Sequence, residues 1–275
     1  MRIAWIADYT IKEHLGGAQQ TNARMINYGR ELGHEIIEYT AKDLDMKMNV
    51  DLLITNNITT FNIEDIKKLM ERIPTIRYDH DIWCSIERPE VFDGTIQNIF
   101  LSPWHQEKVG INMKRVVQGV CIPSPIDSDI FNKTGAVKEE NSVIWVGTLA
   151  PHKGFDRLVE YAVQNPQKKI RVVSFDSMET KNAPNIEFIG ERHGEELADL
   201  YRKSEIFFSH PDHEAFGRTV MEAYLCGCKL DLNENVGAMS YDWDYTDYNE
   251  VKNHLQSEVK FWREIDNAMS KLEKI

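Results

Sequence analysis

The sequence predicts an α/β protein with parallel sheets in two domains, and three observations support this fold class. The chain has 275 residues, of which 42% are hydrophobic and 28% charged, so it is large enough for two modest cores. Short apolar runs alternate with segments of helical periodicity, as in βα units. This alternation breaks at Pro123–Pro125 and the polar tract 132–141, where prolines and charges are typical of a linker.

The first half of the chain contains five apolar runs that predict strands. They are Arg2–Ala7, His34–Tyr39, Asp51–Thr55, Thr75–Tyr78 and Ile96–Leu101. Two helical patterns lie between them, one from Ala18 to Leu32, which ends at Gly33, and one from Ile63 to Met70. The strand at Thr75 ends at the polar group Asp79-His80-Asp81.

The second half repeats the alternation with four further predicted strands. They are Ser142–Val146, Ile170–Phe175, Asn185–Gly190 and Glu205–Ser209. Helical patterns run from Phe155 to Ala162 and from Glu195 to Lys203. We therefore predict an N-terminal domain over residues 1–130, a second domain over 131–255, and a C-terminal helix over 256–275 that is a candidate to pack back on the N-terminal domain.

Composition and charge narrow the function classes. The formal net charge of −12 disfavours nucleic acid as a partner, because such proteins usually present a basic face. No apolar run approaches the roughly 20 residues that span a bilayer, and Asp8 comes too soon for a signal peptide. Four cysteines without a framework of close pairs fit a reducing compartment. We expect a cytoplasmic protein with at most peripheral contact to the inner face of a membrane, near Lys108, Lys114 and Arg115, and leave its oligomeric state open.

The segment His213–Ala223 contains two glutamates on either side of a glycine turn. A strand predicted before it and a helix entered at Gly217 would direct the positive end of the helix dipole at this loop, which favours a phosphate there. Carboxylates repel a phosphate, so Glu214 and Glu222 are suited to accept hydrogen bonds from sugar and ribose hydroxyls. The alternative is that the two glutamates share one solvated helix face.

A metal site is the other chemistry to consider in this segment. His210, Asp212, His213 and Glu214 lie within five positions, a density that can supply zinc or manganese ligands. Their spacing fits no standard zinc motif, so we expect no metal.

Several short motifs occur in an order that is more specific than any one of them. They are Gly16-Gly17-Ala18-Gln19, His80-Asp81, Ser102-Pro103-Trp104, Ile122-Pro123, Val146–Gly154 and the segment from Glu214 to Glu222. In these motifs, over most of its length, the chain resembles the retaining glycosyltransferases of family 4. That resemblance implies the GT-B architecture, in which two Rossmann-like domains have parallel sheets that face a central cleft.

The resemblance also implies a role for each matching residue. Lys153 would hold the donor diphosphate, and Glu222 and Glu214 would bind the ribose and the donor sugar. The helix start at Gly217, Arg218 and Thr219 would offer backbone N–H groups to the phosphate. The other candidates are His80 near the reacting centre, Gly16 and Gly17, whose backbone can approach the donor closely, and Thr148, which stands where the family usually has an arginine.

As a function, the resemblance implies transfer of a sugar from a nucleoside-diphosphate sugar to an acceptor hydroxyl, with retained configuration and without a metal or other cofactor. Positive charge and the helix N-terminus would stabilise the leaving diphosphate. Two alternatives stay open: a non-catalytic module that binds a nucleotide sugar, and a nucleotide-sugar epimerase or phosphorylase of the same fold.

Overall fold

The computed structural model describes residues 1–272 and divides into two units. Unit 1 is Met1–Pro125 together with the segment that begins at Leu255, and unit 2 is Ile126–His254. Each unit is built on one parallel sheet, of six strands in unit 1 and five in unit 2. The predicted α/β class with two parallel sheets is therefore confirmed.

Unit 1 has a flavodoxin-like strand order. Its strands are β1 (Arg2–Ile6), β2 (Glu35–Tyr39), β3 (Leu52–Thr55), β4 (Thr75–Tyr78), β5 (Gln97–Phe100) and β6 (Val120–Cys121), in the order β2-β1-β3-β4-β5-β6. The helices between them are α1 (Gly17–Glu31), α2 (Ile63–Met70), α3 (Trp83–Glu87) and α4 (Pro103–Met113). The strand order changes direction between β1 and β3, and ligands of such sheets bind beyond the carboxyl ends of the strands at this switch point.

Unit 2 has the strand order of a Rossmann fold. Its strands are β7 (Glu139–Val146), β8 (Lys169–Val173), β9 (Ile186–Phe188), β10 (Ser204–Ser209) and β11 (Lys229–Leu232), in the order β11-β10-β7-β8-β9. Its helices are α5 (Phe155–Gln164), α6 (Gly194–Lys203), α7 (Arg218–Leu225) and α8 (Tyr248–His254). Here the switch point lies between β7 and β10, so the loops that follow these two strands meet at one edge of the sheet.

The central strands of the two sheets carry many of the buried side chains. Every residue of β3 and β4 is buried, including Arg77 of β4, as expected for central strands of a parallel sheet. In unit 1, Ala4, Ile6, Leu53 and Phe100 contribute to one core. Trp145 is the largest side chain of the corresponding core in unit 2.

Most differences from the predicted elements concern short segments. The predicted strand Ile170–Phe175 ends at Val173, and Asn185–Gly190 contracts to Ile186–Phe188. The strands β6 and β11 and the helices α3, α4 and α8 were not predicted, because most of them are too short to show a clear period. Aromatic stacking shapes part of the segment between β11 and α8, where the Trp243 ring lies 4.3 Å from that of Tyr241 and 4.9 Å from that of His254.

The last helix, α9 (Glu258–Leu272), belongs to unit 1 and packs against α1. The Trp262 indole covers Gly29, where an added Cβ would overlap the ring, and its Nε1 donates a hydrogen bond to the Met25 carbonyl over 2.9 Å. Arg24 pairs with Glu258 at 2.7 Å. Residues 273–275 of the predicted helix lie outside the described part of the chain.

Among residues 1–272, no helix has the length and apolarity needed to cross a membrane.

We predict that Trp262→Ala lowers the free energy of unfolding by about 3–5 kcal/mol, because it leaves a cavity over Gly29 and removes a buried hydrogen bond. Val259→Ala is the matched control on the same helix, since Val259 is 58% exposed, and we expect a change within about 0.5 kcal/mol. Denaturant unfolding measures both. Equal losses in the two variants would contradict the assigned packing.

Candidate functional site

The loops that follow β7 and β10 lie side by side at the switch point of unit 2 and are hydrogen-bonded to each other. A 3₁₀ turn at Pro151–Lys153 ends at Gly154, whose φ of 72° suits glycine and whose missing Cβ lets the backbone lie against the His210 carbonyl. Arg157 on α5 donates to that carbonyl over 2.7 Å. The Asp212 amide donates to the His152 carbonyl over 2.8 Å, so the two loops hold one another in place.

Lys153 and Glu214, predicted on separate loops, form an ion pair. Lys153 Nζ lies 2.6 Å from Glu214 Oε2, and both side chains remain partly exposed. The backbone of Glu214 is held on both sides, because its N–H donates to the Asn235 carbonyl over 2.9 Å and its own carbonyl accepts from the Gly237 N–H over 2.8 Å. A partly exposed cation and carboxylate are thus fixed side by side.

The start of α7 lies directly after this pair. Gly217 precedes the first helical residue with a φ of 93°, a left-handed conformation that favours glycine, and a Cβ there would come within 3.1 Å of Val220 and Val236 side-chain carbons. Arg218 and Thr219 are the first two residues of the helix. The positive end of the α7 dipole therefore lies three residues from Glu214.

A second cation and carboxylate pair lies on α7 itself. Arg218 Nη2 is 3.3 Å from Glu222 Oε1, and the Glu222 side chain is only 5% exposed. Burial raises the pKa of Glu222, although Arg218 and the Tyr201 hydroxyl act in the opposite direction. A buried carboxylate with a raised pKa beside a cation is a frequent feature of functional sites.

Two histidines beside the first ion pair were not assigned a binding role from the sequence. The rings of His152 and His213 are stacked, with centroids 4.9 Å apart and planes 11° from parallel. Burial lowers the pKa of both imidazoles, and the positive charge of Lys153 lowers it further. The signal in the sequence was their position, since one precedes Lys153 and the other precedes Glu214. Thr148 lies on the same side of the sheet, in the loop between β7 and Pro151.

Two of the four residues considered as metal ligands, Asp212 and His210, are bonded to other side chains. Asp212 pairs with Arg157, and His210 Nε2 lies 2.8 Å from Asp231 Oδ1. Within residues 1–272, no three His, Cys, Asp or Glu side chains are grouped so that they could hold a metal ion.

In unit 1, the predicted glycines mark the start of α1. Gly16 is the residue before the helix and Gly17 its first residue. A Cβ on Gly16 would crowd Gln19 Oε1 and the His14 ring. These glycines follow β1, on one side of the switch point of this sheet.

His80 follows β4, and only 7% of its surface is exposed. Its ring contacts the edge of Tyr78, with centroids 4.4 Å apart. The next residue, Asp81, accepts hydrogen bonds from the Trp83 amide over 2.8 Å and from Asn57 Nδ2 over 2.6 Å. Burial and the nearby charge of Asp79 raise the pKa of Asp81 to about 6.

A buried charge cluster, formed by Arg77, Asp79 and His105, supports this strand end. The Arg77 guanidinium donates to Asp79 Oδ1 and to the Asn56 carbonyl, and all three side chains of the cluster are fully buried. Burial raises the pKa of Asp79, but Arg77 and the His105 hydrogen bond outweigh it and leave that pKa below its usual value. In the sequence, this cluster is indicated by one charged residue, Arg77, inside a strand that is otherwise without charge.

His105 joins this cluster to the backbone of the His80-Asp81 segment. Its Nδ1 accepts from the Leu101 amide over 3.2 Å, so the ring proton is on Nε2. Nε2 lies 3.2 Å from Asp79 Oδ2 and 3.0 Å from the Asp81 carbonyl oxygen. The buried cluster therefore fixes the backbone directly after His80.

Residues 127–230 match the sequence model of the family Glycosyl transferases group 1. The match covers 104 of the 275 residues, all within unit 2, so this segment of the chain is similar to that family. The matched segment contains seven of the predicted residues, all in unit 2: Thr148, Lys153, Glu214, Gly217, Arg218, Thr219 and Glu222. The remaining three, Gly16, Gly17 and His80, lie in unit 1, outside the matched segment.

A curated relative matches part of the same chain. It is a GDP-mannose-dependent alpha-mannosyltransferase from Mycobacterium tuberculosis, 35% identical over 85 residues. The alignment covers 30% of this chain and 22% of that protein, so it spans less than a quarter of the relative.

Solved structures of similar fold cover almost the whole chain. AviGT4, a glycosyltransferase involved in avilamycin A biosynthesis, has a TM-score of 0.70 at 16% identity, over 98% of this chain and 97% of its own. The sucrose-phosphate synthase of Thermosynechococcus elongatus has a TM-score of 0.71 at 14% identity, over 99% and 97%. Anabaena HepE in complex with UDP-glucose has a TM-score of 0.66 at 16% identity, over 98% and 100%. These likenesses confirm the predicted GT-B fold.

We predict that Asp79→Asn lowers the free energy of unfolding by about 3–5 kcal/mol, because it leaves the Arg77 guanidinium buried without its counter-charge. The matched control is Asp93→Asn, which removes the carboxylate of an exposed pair with Arg115 and should change stability by less than about 1 kcal/mol. Urea unfolding measures both. A small loss in Asp79→Asn would show that the cluster is not an essential ion pair.

Proposed function

We propose that this protein is a glycosyltransferase that moves a sugar from a nucleoside-diphosphate sugar to an acceptor hydroxyl with retention of configuration. One observation carries the proposal. Lys153 and Glu214 lie on the loops after β7 and β10, on either side of the switch point of a Rossmann-like sheet, directly before the N-terminus of α7. Such an edge suits a ligand that combines a diphosphate with a sugar.

In this proposal, the donor diphosphate binds where positive charge is concentrated. Lys153 and the backbone N–H groups at Gly217, Arg218 and Thr219 would contact the phosphate oxygens. As the bond between sugar and phosphate breaks, negative charge grows on the leaving diphosphate, and these groups stabilise it. When the diphosphate takes over Lys153, Glu214 loses its partner and becomes available to the hydroxyls of the donor sugar.

The second carboxylate suits the ribose. Glu222 is buried on α7 about one and a half turns beyond Gly217, so its oxygens are shielded from water and can accept bonds from neighbouring hydroxyls. Burial favours hydrogen bonds to an uncharged partner such as a diol, because no second charge has to be desolvated.

His80 is the proposed unit 1 residue near the reacting centre. It follows β4, and the buried cluster of Arg77, Asp79 and His105 fixes the backbone beside it. An imidazole held in this way can donate to or orient a hydroxyl during transfer. Gly16 and Gly17 would allow the backbone at the start of α1 to approach the donor.

GDP-mannose and UDP-glucose are the donors to test first. The curated relative uses GDP-mannose by name, and HepE was crystallised with UDP-glucose. We propose that the present chain uses a donor of this class, without a metal, because the proposed cations are Lys153, Arg218 and the helix N-terminus. We further propose that it acts in the cytoplasm on an acceptor that carries a free hydroxyl.

We predict that one nucleotide among UDP, GDP and ADP raises the thermal midpoint, since a ligand at 100 times its Kd stabilises a protein by about 2.7 kcal/mol. The matching sugar conjugate should then turn over in an assay of nucleoside diphosphate release, and EDTA should leave the rate unchanged. Stabilisation without turnover in the presence of a range of hydroxyl acceptors would favour a binding module. Loss of rate in EDTA would overturn the metal-independent mechanism.

We predict that Glu214→Ala abolishes detectable transfer and that Lys153→Ala lowers kcat/KM by about 10²–10³-fold, because each removes a group that contacts the donor. Lys181→Ala is the matched control, since Lys181 is 77% exposed and its ion pair with Glu179 is long at 3.8 Å. Far-ultraviolet circular dichroism should be the same for all variants. Unchanged turnover of Glu214→Ala would remove the role assigned to this carboxylate.

A further inference from the structure

The predicted donor site carries little free positive charge. Three cations lie on or beside its loops, and each is paired with a carboxylate: Lys153 with Glu214, Arg218 with Glu222, and Arg157 with Asp212. These pairs are electrically neutral as a set. A nucleoside diphosphate brings two or three negative charges, so its binding requires positive charge beyond these pairs or the opening of one of them.

His152 and His213 are two of the three histidines of these loops, and an imidazole can gain positive charge near neutral pH. They lie directly before Lys153 and Glu214 in the chain, and their rings are stacked in parallel at 4.9 Å. The backbone that carries both rings is fixed, because the His152 carbonyl accepts a hydrogen bond from the Asp212 amide and Gly154 packs on His210. A proton on either ring would add charge at the position of the predicted diphosphate.

We propose that the stacked pair of His152 and His213 is the pH-dependent part of the diphosphate site and takes up a proton when a nucleoside diphosphate binds. This inference rests on the proposed function, because it assigns further residues to the same site. Two parallel imidazolium rings at this distance would repel each other, so only one of the two rings is protonated at a time. The proton comes from the solvent and returns to it when the diphosphate leaves.

The surroundings of the pair set the direction of the pH dependence. The groups that act on it are Lys153, which disfavours the charged imidazole, and Asp212 and Glu214, which favour it. Arg157 neutralises Asp212, and His210 is bonded to Asp231. Burial and Lys153 dominate, so in the free protein both rings have lowered pKa values and are largely neutral at pH 7.

A bound diphosphate reverses this balance, because it occupies Lys153 and adds negative charge beside the rings. The pKa of the pair is then higher in the complex than in the free protein. Between these two pKa values, binding takes up a proton, and affinity falls as pH rises by up to about tenfold per pH unit. Below the lower value and above the higher one, affinity is independent of this pair.

The test is isothermal titration of the full chain with UDP and with GDP at pH 7, in buffers of different ionisation enthalpy. We expect the tighter of the two nucleotides to bind with net proton uptake, and the matching nucleoside monophosphate to take up less. The double variant His152→Gln, His213→Gln should bind the same nucleotide without uptake and about tenfold more weakly at pH 6 than the wild type. Each single variant should retain part of the uptake.

The matched control is His254→Gln. His254 also stacks on an aromatic ring in unit 2, that of Trp243, but it lies on α8 and is exposed. This variant should keep the wild-type uptake. Binding of a nucleoside diphosphate by the wild type without proton uptake, or with uptake that survives in the double variant, would overturn the inference and leave the proposed function standing. Failure of both nucleotides, and of ADP, to bind would overturn the inference and the proposed function together.

Discussion

The candidate donor site depends on one constraint, the adjacency of β7 and β10 in the sheet of unit 2. These strands are far apart in the chain, and their pairing brings the loops after them to one edge. The missing side chain of Gly154 then allows backbone contact between the loops, and this contact places Lys153 beside Glu214. The opposite charges of the two residues follow from the sequence, but their pairing follows from the sheet.

Unit 1 uses a different means to hold its candidate residue. The strand end at His80 is supported by a charged cluster inside the core, where Arg77 and Asp79 neutralise one another and His105 links them to the backbone. Such clusters cost desolvation free energy, and a well-packed apolar group of similar volume would often be at least as stable. In this protein the cluster holds the backbone directly after His80, because His105 Nε2 lies 3.0 Å from the Asp81 carbonyl oxygen.

Much of the fold could be predicted from the sequence, because the central strands are continuous apolar runs and α1 and α5 show clear helical periods. Short or polar elements such as β6 and α4 could not, since their formation depends on neighbours in space. For the site, the motif residues at Lys153 and Glu222 were identifiable one by one. Their partners were not, because ion pairing and the stacking of His152 on His213 depend on distances that only the folded chain defines.

The attachment of α9 to unit 1 has a consequence for how the protein is made. The chain leaves unit 1 after Pro125 and returns to it only at Leu255, so unit 2 is inserted into the sequence of unit 1. During synthesis, all of unit 2 leaves the ribosome before the residues that cover α1 are available. The inserted unit can therefore reach its folded state first, while the α1 surface that receives Trp262 stays uncovered until α9 has been synthesised. Synthesis of unit 1 therefore begins first, but its core is completed last.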